Sequence, residues 1–321
     1  MKILDDIEKP NAKTRIQKDI KENGYMAEHN YYCYLYNNEG VEKDIYFSFD
    51  NKKGIMARHL KRNNKYYIFS DVIAPEGKQL DILYWFLDYC LYNKNAKEVE
   101  IEFSEKLIKK LKRKIQTDIK WMKFSLSEMD YGLIWPVYEM AKWKGEKMKG
   151  KEWKKIRYYW NNFFRKYDIK IKPSKKIRNE ELYKIVKLWK RKRNGEDAPV
   201  YNFFLNAIKN NFRGFDMSRT MIINNEPSSI TAGFRIPNSN NYYSAIGLTN
   251  YKYDRLGEIA NMDDLIELKK TGYDCVDFGG SDDSLFSFKK KFRPTGYYNT
   301  YVYQIRKPRP LNKIKNKLRK K

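Results

Sequence analysis

Hydrophobic positions change their period several times along the chain, and each change marks an element. Residues 1 to 28 place Ile3, Ile7, Ile16 and Ile20 as buried positions of a mostly helical segment. The texture then becomes aromatic. Tyr31 to Tyr36 (YYCYLY) predicts a strand, Asn37 to Gly40 a turn, and Val41 to Phe49 an alternating second strand. Gly54 to Leu60 and Lys65 to Asp71 continue the meander, which Pro75-Glu76-Gly77 closes. Leu80, Leu83, Leu87, Cys90 and Leu91 are helix-spaced; Lys97 to Phe103 alternates as a strand; Ser104 to Ile115 is a helix; Tyr131 to Met140 is another strand.

The next stretch, 142 to 176, joins two halves. Trp153, Ile156, Trp160 and Phe163 or Phe164 form one apolar stripe, with Lys154, Lys155, Arg157, Arg165 and Lys166 on other faces. The second half repeats the order of the first. Asn179 to Arg193 and Tyr201 to Asn211 read as helices around Gly195 to Pro199. Thr220 to Ile223 and Ser229 to Ile236 read as a hairpin about Asn224-Asn225. Asn241 to Leu248 is a strand, Gly257 to Lys270 a helix, and Thr300 to Ile305 a final strand.

Between these last two elements lies Tyr273 to Phe292, YDCVDFGGSDDSLFSFKKKF. A short strand ends at Gly279-Gly280, whose backbone freedom suits a tight exit. Ser281 is placed to cap a helix that opens with Asp282 and Asp283. Leu285, Phe288 and Phe292 make its apolar stripe, and Lys289, Lys290 and Lys291 fill the last turn, where the helix dipole favours cations. Val99 to Ile115 has the same plan: a strand, a capped helix, and an apolar–Lys–basic–Lys–apolar ending. Leu111-Lys112 and Phe288-Lys289 are 177 positions apart. The parallel predicts a duplicated layout. Only the second copy has the double glycine, so the first is expected to be structural or substrate-shaping.

Composition adds a partner. The 321 residues are 41% hydrophobic and 16% aromatic, enough for two domains with real cores, and carry a formal net charge of +26. Residues 142 to 176 hold 14 Lys/Arg against 3 acids, and 306 to 321 hold 9 Lys/Arg and no acid. Such fields attract polyanions, of which RNA is the commonest in a cytosol. Cys33, Cys90 and Cys275 are far apart in apolar or aromatic stretches, as reduced core residues of a cytoplasmic protein are. With His29 and His59 the only histidines, no metal site is expected. No run is long enough to span a membrane, and MKILDDIEKP lacks the apolar stretch of a signal peptide.

The pattern Asp277-Phe278-Gly279-Gly280, then Leu285, Phe288-Lys289 and Phe292, resembles the C-terminal signature of Fem-type aminoacyltransferases; a related pattern occurs in the C-terminal domain of phosphatidylglycerol lysyltransferases. Lys291 stands where Fem proteins usually have glycine. GKEWKKIRYYWNNFFRK likewise resembles the basic helix that opens the second domain in that superfamily.

The resemblance implies an α/β (α+β) protein of two tandem GNAT-like domains, each a mixed central sheet flanked by helices. Residues 1–140 would form a degenerate first domain, 141–176 the basic connecting helix, 177–305 the second domain and 306–321 a basic tail. It implies an aminoacyl group moved to an amine or hydroxyl of a small molecule, peptide or lipid headgroup, without a metal or resident cofactor. The donor would be aminoacyl-tRNA. Acyl-CoA-using members carry a Q/R-x-x-G-x-G/A loop, whereas Tyr251 to Ala260 has one glycine, Gly257, and Asp254 at the Arg or Gln position. By motif match Lys289 would contact the donor's phosphate or RNA end, with Phe288 beside it. Asp277 would orient the acceptor amine or act as a base, or else anchor the following loop. Arg157, Arg235 and Arg255 are further candidates for anion contact. Two other readings stand beside this one: an acyl-CoA-dependent N-acyltransferase, and an RNA-binding protein on a degenerate acyltransferase scaffold.

Overall fold

The alternating stretches become strands that share one sheet. The computed structural model describes residues 1–4, 6–37, 44–49, 52–193 and 198–308. Among these residues twelve strands occur: β1 (Lys2–Leu4), β2 (Asp44–Phe49), β3 (Lys53–Leu60), β4 (Lys65–Ile68), β5 (Glu98–Ser104), β6 (Ser125–Glu139), β7 (Ile169–Pro173), β8 (Met217–Ile223), β9 (Glu226–Arg235), β10 (Asn241–Thr249), β11 (Cys275–Asp277) and β12 (Gly296–Arg306). Their order across the sheet is β1-β2-β3-β4-β5-β12-β6-β11-β10-β9-β8-β7. β4–β5 and β10–β11 are parallel and the other neighbours antiparallel. The helices are α1 (Pro10–Asn23), α2 (Tyr31–Tyr36), α3 (Gln79–Asp88), α4 (Glu105–Thr117), α5 (Lys154–Lys166), α6 (Asn179–Lys192), α7 (Ala198–Lys209), α8 (Leu256–Thr271) and α9 (Asp283–Lys289).

The mixed sheet flanked by helices is the expected fold class, but the strands of the two halves are interleaved. β12 lies between β5 and β6, and β6 pairs on its other edge with β11. The cores cross as well. Tyr303 and Ile305 of β12 pack with β2–β5, α3 and α4, while Cys33 and Tyr36 of α2 pack with α6, α7, β9 and β10.

Four local expectations change, the smallest being the cap of α9, which is Asp282 and not Ser281. Tyr31–Tyr36 is a helix, not a strand. Asn30 caps it by accepting from the Tyr32 N–H at 2.8 Å. Its spacing of three then sends Tyr31 and Tyr34 into one core and Cys33 and Tyr36 into another. Two-sided burial by a short helix outweighs the β-propensity of tyrosine. β7 lies inside the stretch expected to be a connecting helix; its Ile-Lys alternation pairs with β8 at the sheet edge. The first 28 residues begin with a strand, β1, before α1. By contrast, Asn224 and Asn225 turn β8 into β9 with φ of 50° and 66°, as their residue type foretells. The turn positions 38–40, the loop positions 195–197 and the tail from 309 fall outside the described residues.

Candidate active site

The site is built where two parallel strands part. β11 pairs with β10 only through Asn241–Tyr243, with Tyr243 opposite Asp277. β10 then runs on to Thr249 while β11 ends. The Phe278 N–H donates to the Pro136 carbonyl at 3.0 Å, and the Ile134 N–H to the Ser281 carbonyl at 2.9 Å, so both ends of the turn are tied to β6. Gly279 has φ +79°, and a Cβ on Gly280 would lie 2.6 Å from Leu133 Cδ1 and 3.1 Å from the Trp135 ring. The first glycine answers a left-handed backbone and the second a close approach.

Asp277 is buried. Its Oδ1 accepts from the Gly279 N–H at 2.9 Å and its Oδ2 from the Tyr298 hydroxyl at 2.6 Å. Burial pushes its carboxyl up to about 6, against the opposing pull of Tyr298, the Gly279 N–H and the Lys289 charge. Lys289 is buried too. Its ammonium donates to the carbonyls of Phe278 (2.5 Å) and Gly279 (2.9 Å), and burial holds it down to about 8. The Tyr138 hydroxyl donates to the Lys289 carbonyl at 3.0 Å. The two charges bracket one turn, with the lysine tying down carbonyls that no strand receives.

Aromatic and acidic side chains line the space in front of this turn. Tyr298 stacks on Trp135 at 5.6 Å between centroids, and Tyr243 lies against Trp135 at 6.1 Å. Trp135 Nε1 donates to the Thr300 hydroxyl (3.0 Å), which donates to Glu102 Oε1 (2.8 Å); the Tyr67 hydroxyl donates to Glu102 Oε2 (2.9 Å). Asp71 accepts from the Ser104 N–H and hydroxyl and from Tyr25. Burial pushes the carboxyls of Glu102 and Asp71 up. Glu28 enters from the first half. Burial, then Glu102, Asp277 and Asp71, push its carboxyl well above the ordinary range.

The structure brings Asp277 and Lys289 together. Phe288 sits beside them as a packing residue, 5.4 Å from Phe292 and under Gly257. The three arginines lie elsewhere. Arg157 donates to the carbonyls of Met148 and Gly150; Arg235 lies over the Tyr273 ring; Arg255 lies over the Tyr159 ring and pairs with Asp254 and Glu258. Glu258, in the first turn of α8, also receives Lys291 at 2.9 Å, so a protein carboxylate occupies that helix start. Among the described residues no group of three or more His, Cys, Asp or Glu is placed to hold a metal, and no helix is long and apolar enough to cross a membrane. A separate groove of about 490 Å³, lined by Phe49, Ile82, Trp85 and Tyr89 among others, shares no residue with the cleft.

Glu28, Trp135, Tyr243 and Tyr298 were not legible as site residues. Tyr298 stands in the run GYYNT and Glu28 at the end of a stretch read as helical, and neither belongs to a motif.

No protein-family model and no curated protein sequence matches the chain. Solved structures do. The C-terminal domain of a putative lysylphosphatidylglycerol synthetase from Agrobacterium fabrum superposes with a TM-score of 0.63 at 13% identity, over 91% of each chain. FemX matches with a TM-score of 0.56 at 9% identity, over 95% of this chain and 97% of its own. A tandem GNAT protein from the clavulanic acid biosynthesis pathway matches with a TM-score of 0.54 at 7% identity, over 94% and 97%. The chain has the fold of the GNAT-like acyltransferases, the superfamily that its Asp277–Phe292 signature resembles.

Proposed function

We propose that the protein transfers an aminoacyl group from aminoacyl-tRNA to an amine or hydroxyl acceptor. In that reaction the acceptor attacks the ester carbonyl, its proton leaves, and the tetrahedral intermediate collapses to release the terminal hydroxyl of the tRNA. Asp277 is the base that this cleft offers: a carboxyl near 6 is mostly ionised at neutral pH yet basic enough to accept a proton. Tyr298, fixed by Asp277 and by stacking on Trp135, is positioned to relay that proton. Lys289 acts through the turn whose carbonyls it holds.

The observation that carries the choice of donor is a run of exposed lysines left without counter-charges. Lys154, Lys155 and Lys166 on α5, Lys172 on β7, and Lys175 and Lys176 beyond it form no ion pair among the described residues. On α4, by contrast, Lys106, Lys109, Lys110, Lys112 and Lys114 all pair with acids. Only lysines not already neutralised by the protein are available to replace the counterions of a phosphate backbone. Arg255 and Lys291 at the start of α8 are already engaged by Glu258, which leaves them less available to a CoA pyrophosphate there.

The test is incubation with a mixed pool of labelled aminoacyl-tRNAs and a cell extract, with identification of the labelled product. Label transferred from tRNA supports the proposal; label transferred only from acetyl-CoA overturns it. Replacing Lys154, Lys155 and Lys172 by Gln should lower the slope of log K against log salt for tRNA by about 0.7–0.9 for every phosphate that is no longer neutralised. The same change at Lys106, Lys109 and Lys110 should leave the slope unchanged.

A further inference from the structure

Four carboxyl groups surround the cleft, and three are fully engaged by the protein. Asp277 holds Gly279 and Tyr298, Glu102 holds Thr300 and Tyr67, and Asp71 holds Ser104 and Tyr25. The carboxylate of the fourth, Glu28, accepts no hydrogen bond and makes no ion pair among the described residues, although the residue is half-buried. The charged groups that bear on it are those same three carboxyls. The ammonium of the Asp277 turn, Lys289, is turned to the carbonyls of Phe278 and Gly279. A partly buried carboxylate among like charges is unfavourable unless a proton or a cation balances it.

The segment that carries Glu28 is firmly held. The Gly24 carbonyl accepts from Asn238 Nδ2 at 2.8 Å across the two halves, and Ala27 packs with Trp135 and Ile236. His29 Nδ1 accepts from the Tyr25 N–H at 3.1 Å, so its Nε2 carries the hydrogen and donates to the Asp71 carbonyl at 2.9 Å. Burial holds His29 down to about 4, and the ring stays neutral. Glu28 is therefore presented to the cleft on a fixed support rather than left on a mobile loop.

We propose that Glu28 seats a primary ammonium group of the substrate, facing the Asp277 turn from the opposite half of the molecule. This assignment rests on the transfer reading above and makes its substrate a cation at this end. A primary ammonium supplies the missing positive charge and up to three donors, which suit a carboxylate without a protein partner. The ammonium could belong to the transferred amino acid or to the accepting molecule; the chemistry of the seat is the same, and the probes separate the two.

Calorimetric binding to the full chain tests this with two pairs of probes: leucine amide against N-acetyl-leucine amide for the donor's ammonium, and hexylamine against 1-hexanol for the acceptor's. At least one charged probe should bind better than its neutral partner, and the pair that discriminates identifies the source. Glu28→Gln should weaken the charged probe about ten- to a hundredfold, as expected for one charge-assisted hydrogen bond, and leave the neutral one unchanged. Glu28→Asp should restore part of the affinity, and an unchanged melting temperature in both variants shows that the support is intact. Equal binding of charged and neutral probes, equal discrimination by Glu28→Gln, or no binding in the millimolar range overturns the assignment. Charge discrimination that needs Glu28, in a protein that transfers nothing from tRNA, leaves the seat standing and removes the reaction.

Discussion

Lys112 and Lys289 stand at matching places in two strand–helix units, β5–α4 and β11–α9, and meet opposite surroundings. Lys112 is partly exposed, 4.7 Å above the Tyr303 ring and 3.4 Å from Glu128. Lys289 is only 8% exposed and holds two backbone carbonyls. The difference lies in the strand that precedes each helix. β5 runs without a break to Ser104, whose hydroxyl caps α4 by accepting from the Leu107 N–H. Glu102 and Phe103 occupy there the places of Gly279 and Gly280. In the second unit the strand stops at Asp277, the two glycines turn the chain, and the cap moves to Asp282, which accepts from the Leu285 N–H at 2.7 Å. The turn leaves the carbonyls of Phe278 and Gly279 to be gathered by Lys289. Two glycines on a strand thus decide whether a lysine ten residues later is a surface charge or an internal clamp.

The largest effect expected from this contrast is on stability. Lys289→Met strips two buried carbonyls of their donor and should cost about 3 kcal/mol in urea denaturation. Lys112→Met should leave the midpoint nearly where it was, because an exposed ion pair contributes little. Equal shifts would mean that the clamp has no structural weight.

Next comes the pH dependence. The carboxyl of Asp277 sits above its ordinary value in the folded chain, so the folded state holds the proton more tightly than the unfolded one. Stability should then fall as pH rises from 3.8 to about 6. A shift of that size corresponds to about 2–3 kcal/mol over the window. Asp277→Asn should remove this part of the slope. Glu100→Gln, at the matching place on β5, should leave the Asp277 contribution in place. Transfer activity, if Asp277 is its base, should rise with pH through about 6 in the unaltered protein and lose that limb in Asp277→Asn. An identical pH profile in the variant would assign the base elsewhere.

The smallest effect is expected at Gly279. A Cβ there would meet the Tyr243 ring at 3.5 Å, an ordinary contact, so the cost of Gly279→Ala is the left-handed backbone alone, about 1–2 kcal/mol. A larger loss in chemical denaturation would show that the lysine clamp also depends on the bare glycine.

The sequence disclosed those features whose causes are local. The Asp277–Gly279–Lys289 turn could be read because the strand end, the glycines and the helix lie within one short stretch. The Asn224-Asn225 turn was legible for the same reason. Tyr31–Tyr36 misled because its residue types favour strands, while its helix is imposed by a cap and by two cores that form from distant parts. The lysine-alternating β7 was obscured by the charge around it. Tyr298 meets Asp277 only after β12 has paired with β6, and Glu28 is brought to the same region by a segment that precedes α2, so no local pattern encodes that meeting.

The insertion of β12 between β5 and β6 has a consequence for how the chain is made. During synthesis β5 and β6 emerge long before residues 296 to 306, and the edges that β12 will cover stay open for the whole of that interval. The sheet can be completed only when a late segment threads between two early ones, a pairing of very long sequence separation that slows folding. Until then the half-built sheet exposes unpaired strand edges of the kind that invite aggregation. A ribosome-bound chain stopped before residue 296 should therefore be far more sensitive to protease across β5 and β6 than one stopped well beyond residue 306.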